Sequence, residues 1–416
     1  MSDKRVLFVG FYDDFSRLYH GVSAELNCEC HFVFQNLSGY LHSLLRNFEA
    51  TYLFFSPIHL TKRHKVAIGM ALSDEDATYI LEYTGSDSMF RKFLIRQLYS
   101  FWLKRVSVLG ISSLMIAGDS RPISRLFKLV GQELGCEISY FEQGPNNNTI
   151  LDSSGVNANC SFRYRDGGSY VYAGKYCGSI KQKYDRNIAY RICDYFFDFV
   201  FVSLFFPIFA ENNIQTRFRS LLLKISTKNL CVSKYDYTDQ YVLLILQIPE
   251  DANMKLHSPH FDSFTKMLEA TYSALPFGFN LIVHEHPLYK FSYDLGLYSF
   301  IENKSDIFLD SESNLEGQID SSSLVIVNNS TVGFEAIFLK KKLMVLGDAY
   351  YDQYKYLKKL KDADSFSSDL RAALQIEIDE SEADSYIAWC FTENFLPGHF
   401  RNKDITSLCK RIANKL

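Results

Sequence analysis

With 416 residues, 47% of them hydrophobic and 22% charged, the chain carries enough apolar material for two domains with full cores, which sets it apart from disordered polymers. A formal net charge of −4 with no basic or acidic tail leaves no reason to expect nucleic acid as a partner. Nine cysteines, an odd number scattered from Cys28 to Cys409, give no disulfide framework, and Cys28-Glu-Cys30 lacks the matching second pair of a zinc site. The opening Met-Ser-Asp-Lys-Arg runs straight into an apolar strand pattern, without the long apolar run and small-residue cleavage site of a signal peptide, so a cytoplasmic protein is expected.

In chain order, strand patterns at residues 6–9, 30–34, 114–117 and 137–141 alternate with helical periodicity at 15–26, 90–104 and 123–134. The theme then repeats, with strands at 241–247, 279–284, 307–309, 324–327 and 343–346 separated by helices near 261–274, 315–321 and 333–339. Between the halves, residues 195–209 form an aromatic block that is shorter than a bilayer span and broken by Asp198 and Pro207. Arg217, Arg219, Lys224 and Lys228 follow it, and an apolar face beside cations suits a helix docked on anionic lipid; a buried interdomain helix is the other reading. The expected organisation is α/β: a Rossmann-like domain over 1–180, an aromatic and basic helical connector over 181–232, a second Rossmann-like domain over 233–395, and a C-terminal tail helix over 396–416.

Residues 324–337 read as an apolar strand running through Asn328, Asn329, Ser330, Thr331 and Gly333 into a helix. Such a turn can present backbone N–H groups at the positive end of the helix to a nucleotide phosphate, although Ser and Thr are also ordinary helix caps. The run Val283-His-Glu-His-Pro287 ends another strand of the same half, and strand ends of one parallel sheet open onto one crevice. The glycine fingerprints of dinucleotide enzymes and of phosphate-loop ATPases are absent. So is an Asp-x-Asp pair placed after a strand to hold a divalent ion, and no metal or cofactor is expected. Two Rossmann-like halves facing a central cleft without such a metal seat make a GT-B-like glycosyltransferase the natural architecture.

Four ordered blocks carry a resemblance: Gly118-Asp-Ser-Arg-Pro122; Phe141-Glu-Gln-Gly144 with Gly155-Val-Asn-Ala-Asn159; Leu246-Gln-Ile-Pro-Glu-Asp251; and His286-Pro287 with Asn329-Ser-Thr-Val-Gly333 and Leu346-Gly-Asp-Ala-Tyr-Tyr-Asp352. In these the chain resembles the KpsS-type capsule polysaccharide proteins of Gram-negative bacteria. The resemblance implies transfer of β-Kdo (3-deoxy-D-manno-octulosonic acid), with retention, from CMP-Kdo to a phosphatidylglycerol-type lipid. It also implies work at the inner face of the inner membrane, alongside other capsule assembly proteins. It assigns Asp251 as nucleophile and Glu142 as base for the acceptor hydroxyl, because retention calls for two displacements and two carboxyl groups. Gln247, His286, Asn329, Ser330, Thr331 and Gly333 would hold the donor, and Asp119 and Arg121 its sugar acid, unless these two merely brace their loop. Glu250 remains an alternative to Asp251. Gly144-Pro-Asn-Asn-Asn148 departs from the family's aromatic and basic run, and Glu285 would add negative charge beside an anionic donor. A GT-B transferase using another nucleotide sugar and a non-catalytic assembly scaffold therefore remain open.

Overall fold

A computed structural model describes residues 4–53, 72–85, 88–165, 170, 184–197, 240–249 and 251–416. Most of the expected connector, including Arg217, Arg219, Lys224 and Lys228, and also Glu250, lie outside the described residues. The strands are β1 (Arg5–Gly10), β2 (Glu29–Phe34), β3 (Ala50–Tyr52), β4 (Ser113–Ala117), β5 (Glu137–Gln143), β6 (Asn148–Asp152), β7 (Tyr241–Ile245), β8 (Asn280–His284), β9 (Ile307–Leu309), β10 (Leu324–Val327), β11 (Leu343–Val345), β12 (Leu357–Lys359) and β13 (Phe395–Pro397).

These strands form two sheets in two compact units. One unit holds Met1–Val156, Cys177–Ile214 and Asn394–Leu416; the other holds Asn157–Tyr176 and Gln215–Glu393. In the second unit the order β9-β8-β7-β10-β11-β12 is parallel throughout, and it reverses direction of growth between β7 and β10. That is the doubly wound order, whose ligand crevice lies beyond the carboxyl ends of the two strands at the reversal. The first unit follows the same plan, β3-β2-β1-β4-β5, with its reversal between β1 and β4, then closes with antiparallel β6 and β13. The fold is thus α/β with two Rossmann-like sheets. Strands covered on both faces read as unbroken apolar runs, and Tyr241-Val-Leu-Leu-Ile245 is buried at every position. Their side chains join Met267, Leu268, Leu297 and Leu370 from the covering helices in the core of this unit.

The division differs from the sequence expectation at both ends. Residues 157–165 join the second unit because Arg163 is held there by Asp348 and Asp352. Residues 394–416 do not stand apart as a tail: β13 adds to β6, and the helix Thr406–Ala413 packs on the helix Asp13–Glu25, where Gly21 leaves room for Cys409 Sγ.

The turn from β5 to β6 explains the departure at 144–148. Asn148 N–H donates to Pro145 O at 3.1 Å, and Asn146 and Asn147 both have positive φ, 50° and 61°. Two consecutive left-handed residues make the hairpin turn that asparagine tolerates best among residues other than glycine. Among the described residues no helix is long and apolar enough to cross a membrane.

Candidate functional site

In the second unit the chain leaves β7 through Leu246 and Gln247 and reaches Asp251, which precedes the short helix Ala252–Leu256 without its side chain capping it. It leaves β8 through Glu285 and His286. The Tyr293 hydroxyl ties the two exits together, donating to Gln247 O at 2.9 Å and accepting the His286 N–H at 3.1 Å. Gln247 is 6% exposed, yet among the described residues neither its Oε1 nor its Nε2 has a hydrogen-bond partner. Leaving a buried amide unsatisfied costs about 1–3 kcal/mol, which is ordinarily tolerated where a ligand or water completes the bonds.

His286 Nδ1 accepts the Leu288 N–H at 3.3 Å, so the neutral ring carries its proton on Nε2. Burial lowers the pKa of His286, while the Asp251 carboxylate opposes that shift and His284 adds to it. Asp251 is therefore close enough to His286 to act on it electrostatically. The Asp251 carboxylate also accepts from Asn253 Nδ2 at 3.3 Å.

The turn after β10 grips the same helix. Asn329 Nδ2 donates to Asn253 O at 3.0 Å and to His257 O at 2.8 Å, and among the described residues its buried Oδ1 has no hydrogen-bond partner. Gln247, Asp251, His286 and Asn329 thus gather at the carboxyl edge around the β7/β10 reversal.

Two expectations are corrected here. The first turn of the helix Val332–Phe338 does not offer its N–H groups to a phosphate: Val332 donates to Ser330 Oγ at 3.3 Å, Gly333 to Ser330 O at 3.0 Å and Phe334 to Thr331 O at 3.0 Å. Gly333 owes its place to packing. A Cβ there would stand 2.2 Å from the hydroxyl of buried Tyr351, which donates to Ser330 O. His284 and Glu285, in turn, serve structure. His284 Nδ1 donates to Gln318 Oε1 at 2.7 Å, and Glu285 accepts from Tyr298 at 2.5 Å, from Phe291 N–H at 2.9 Å and from Ser311 at 3.3 Å. Burial raises the pKa of Glu285, and its charge is answered by these donors inside the unit.

The block ending at Asp352 has a role that sequence reasoning missed. Arg163 donates from Nε to Asp352 at 2.9 Å and from a terminal nitrogen to Asp348 at 2.7 Å, while Lys359 closes the pair at 2.7 Å from Asp352.

In the first unit the exits of β4 and β5 meet. Gly118, at φ 62°, donates its N–H to Phe141 O at 3.0 Å, and a Cβ on it would lie 3.7 Å from Glu142 Oε2. Glu142 is half-buried and its Oε1 accepts the Gln143 N–H at 2.9 Å. Asp119 is buried, accepting from Ser120 Oγ at 2.7 Å and from Val156 N–H at 3.0 Å. It pins the Gly118–Pro122 block to the Gly155–Val156 block. The Arg121 guanidinium lies 4.5 Å from the Phe11 ring centroid, over the exit of β1. Among the described residues no three His, Cys, Asp or Glu side chains gather to hold a metal ion.

A family model described as "Capsule polysaccharide biosynthesis protein" matches residues 175–371, which include the exits of β7, β8 and β10. Among curated proteins no match was found. Among solved structures the chain is similar to the β-Kdo 2,4 transferase of Thermosulfurimonas dismutans KpsC (15% identity over 73% of this chain and 88% of that one, TM-score 0.41). It is similar as well to the β-Kdo 2,7 transferase of the same protein (15%, 70% and 80%, TM-score 0.37). A third is the UDP-GlcNAc 2-epimerase of Methanocaldococcus jannaschii, in complex with UDP-GlcNAc and UDP (10%, 99% and 99%, TM-score 0.37).

Proposed function

We propose that this chain is a retaining, metal-independent glycosyltransferase of capsule polysaccharide synthesis that moves β-Kdo from CMP-Kdo to a phosphatidylglycerol-type lipid at the inner membrane surface. The observation that carries the reading is the grouping of Asp251 and neutral His286 beside the unsatisfied amide of Gln247, at the reversal point of a doubly wound sheet. The match of residues 175–371 to a family described as capsule polysaccharide biosynthesis proteins supports a place in that synthesis.

In this mechanism the Asp251 carboxylate attacks the anomeric carbon as the bond to the CMP phosphate breaks. The electron pair leaves with the phosphate, and a glycosyl ester remains on Asp251. His286, donating from Nε2, meets a phosphate oxygen and stabilises the charge that develops there. The acceptor hydroxyl then attacks from the opposite side, its proton passing to a general base, and Asp251 is released. Two inversions give net retention. Gln247 would direct its amide to the sugar acid, with its NH₂ donating to an acceptor oxygen and its carbonyl accepting from a hydroxyl.

The test is transfer from CMP-Kdo to lysophosphatidylglycerol, followed by mass spectrometry of the lipid, with calorimetry of CMP, UDP and GDP in the presence and absence of EDTA. Asp251→Asn should abolish turnover and keep CMP affinity, whereas His286→Ala should weaken CMP binding by roughly tenfold, as for a hydrogen bond to a charged group. Tighter UDP binding, or CMP binding lost in EDTA, would transfer the site to another nucleotide sugar. CMP binding without any transfer product would favour an assembly scaffold.

A further inference from the structure

The helix Ile188–Phe196 of the first unit is docked inside out. At 100° per residue, Ile188, Ile192, Tyr195 and Phe196 fall on one arc with Arg191 at its rim, and Tyr190, Cys193 and Asp194 fall on the other. A surface helix ordinarily buries the apolar arc. Here Ile188 is 73% exposed, Ile192 62%, Tyr195 55% and Phe196 61%, while Asp194 is buried.

The inward carboxylate is fully answered. Asp194 accepts the Ser38 N–H at 2.8 Å and the Arg186 guanidinium at 2.6 Å, and Arg186 also binds Asp13 at 2.5 Å. Ser38 beside Asp194 and the His42 ring 6.0 Å from that of Tyr190 set this helix antiparallel to the helix Leu37–Leu44. That register brings the exposed Leu44, Leu45 and Arg46 to the same end as Ile188.

We propose that this face rests on an anionic lipid bilayer, with Ile188, Ile192, Tyr195 and Phe196 in the headgroup layer. Charge selects that occupant. The helix has one acid and one base; the acid, Asp194, is turned inward and neutralised by Arg186, and the base, Arg191, is left at the rim of the apolar arc. An apolar arc edged by a cation, with the carboxylate withdrawn, matches an interface of acyl chains under negative headgroups. Vesicle binding requires no sugar donor, so this inference and the transfer reaction stand or fall separately.

The experiment is flotation of the full chain with vesicles of phosphatidylcholine alone or mixed equally with phosphatidylglycerol. Wild type should float with the anionic vesicles. Ile192→Asp should lower its partitioning by about tenfold or more, and Arg191→Ala by on the order of fivefold on anionic vesicles alone. Both positions are exposed, and an unchanged thermal melt confirms that each variant is folded. Wild type that stays at the bottom, or Ile192→Asp that floats like wild type, would overturn the proposal. So would a wild-type dimer dissociated by Ile192→Asp in sedimentation equilibrium, which would make a second copy the occupant.

Discussion

Replacing Gly333 by alanine separates two meanings of a glycine at a strand-to-helix turn. If the residue clears space for a ligand phosphate, the change should weaken nucleotide binding and leave the melt alone. The structure points to the opposite result, because the added Cβ would sit 2.2 Å from the Tyr351 hydroxyl, 2.6 Å from Cζ and 2.8 Å from Cε2. Tyr351 is fully buried and cannot swing aside. Forcing a methyl group into such a core costs about 1–3 kcal/mol. Displacing the hydroxyl from Ser330 O adds about 1 kcal/mol. The total is roughly 2–4 kcal/mol, which for a unit of this size lowers the melting temperature by about 5–15 °C. Scanning calorimetry with and without CMP reads both effects. Adding Tyr351→Phe removes the hydroxyl contact but leaves the ring carbons, so the double variant should recover part of the loss. A Gly333→Ala protein that melts within a degree or so of wild type would refute the packing argument.

Gln247→Met removes the unsatisfied amide at similar volume, so it should raise the stability of the free protein by about 1–2 kcal/mol in urea titration while weakening donor affinity. A stability loss would show that the amide is already satisfied. Arg163→Ala leaves two neighbouring carboxylates with Lys359 as their paired cation and should cost about 3–5 kcal/mol; Arg163→Lys should recover little, since it lacks the planar fork that meets Asp348 and Asp352 together. Burial drives His20 down to about 3 and His42 to about 4, each from 6.5, with neighbouring charge as a lesser cause. The unfolded chain therefore takes up their protons first. Their contribution is present above about pH 6.5 and is lost as pH falls toward 4, on the order of 2 kcal/mol each once solvent access is allowed for. His42→Asn should flatten part of the slope of the urea midpoint between pH 7 and 4.5, and an unchanged slope would exclude His42 as a source.

The parallel strands were legible because burial on both faces writes them as apolar runs, and every strand expected from the sequence lies within one residue or two of an observed one. The short edge strands β3, β12 and β13 left no such trace, since three residues are too few to write a pattern and they pair through backbone atoms common to all residues. Asn146-Asn147 was a turn signal that went unread beside the family comparison. At the site, the grouping of Gln247, Asp251 and His286 followed from strand ends on one edge. Side-chain direction did not: nothing in His-Glu-His distinguishes His284 and Glu285, turned to Gln318 and Tyr298, from His286, whose ring takes the Leu288 N–H instead.

The passage of the chain from one unit to the other at 156/157, 176/177, 214/215 and 393/394 has a consequence for synthesis. Asp14 receives its guanidinium from Arg401, Arg17 is held by the carbonyls of Phe400, Asn402 and Lys403, and β6 gains β13 on its outer edge. Of the two sheets, the one whose strands begin earlier in the chain is thus the later to be completed. Until then its outer strand offers open backbone groups and Asp14 lacks the ion pair with Arg401. The nascent N-terminal half is the stage at which a chaperone would find the most to hold, and removal of the last two dozen or so residues should harm the beginning of the protein more than its middle.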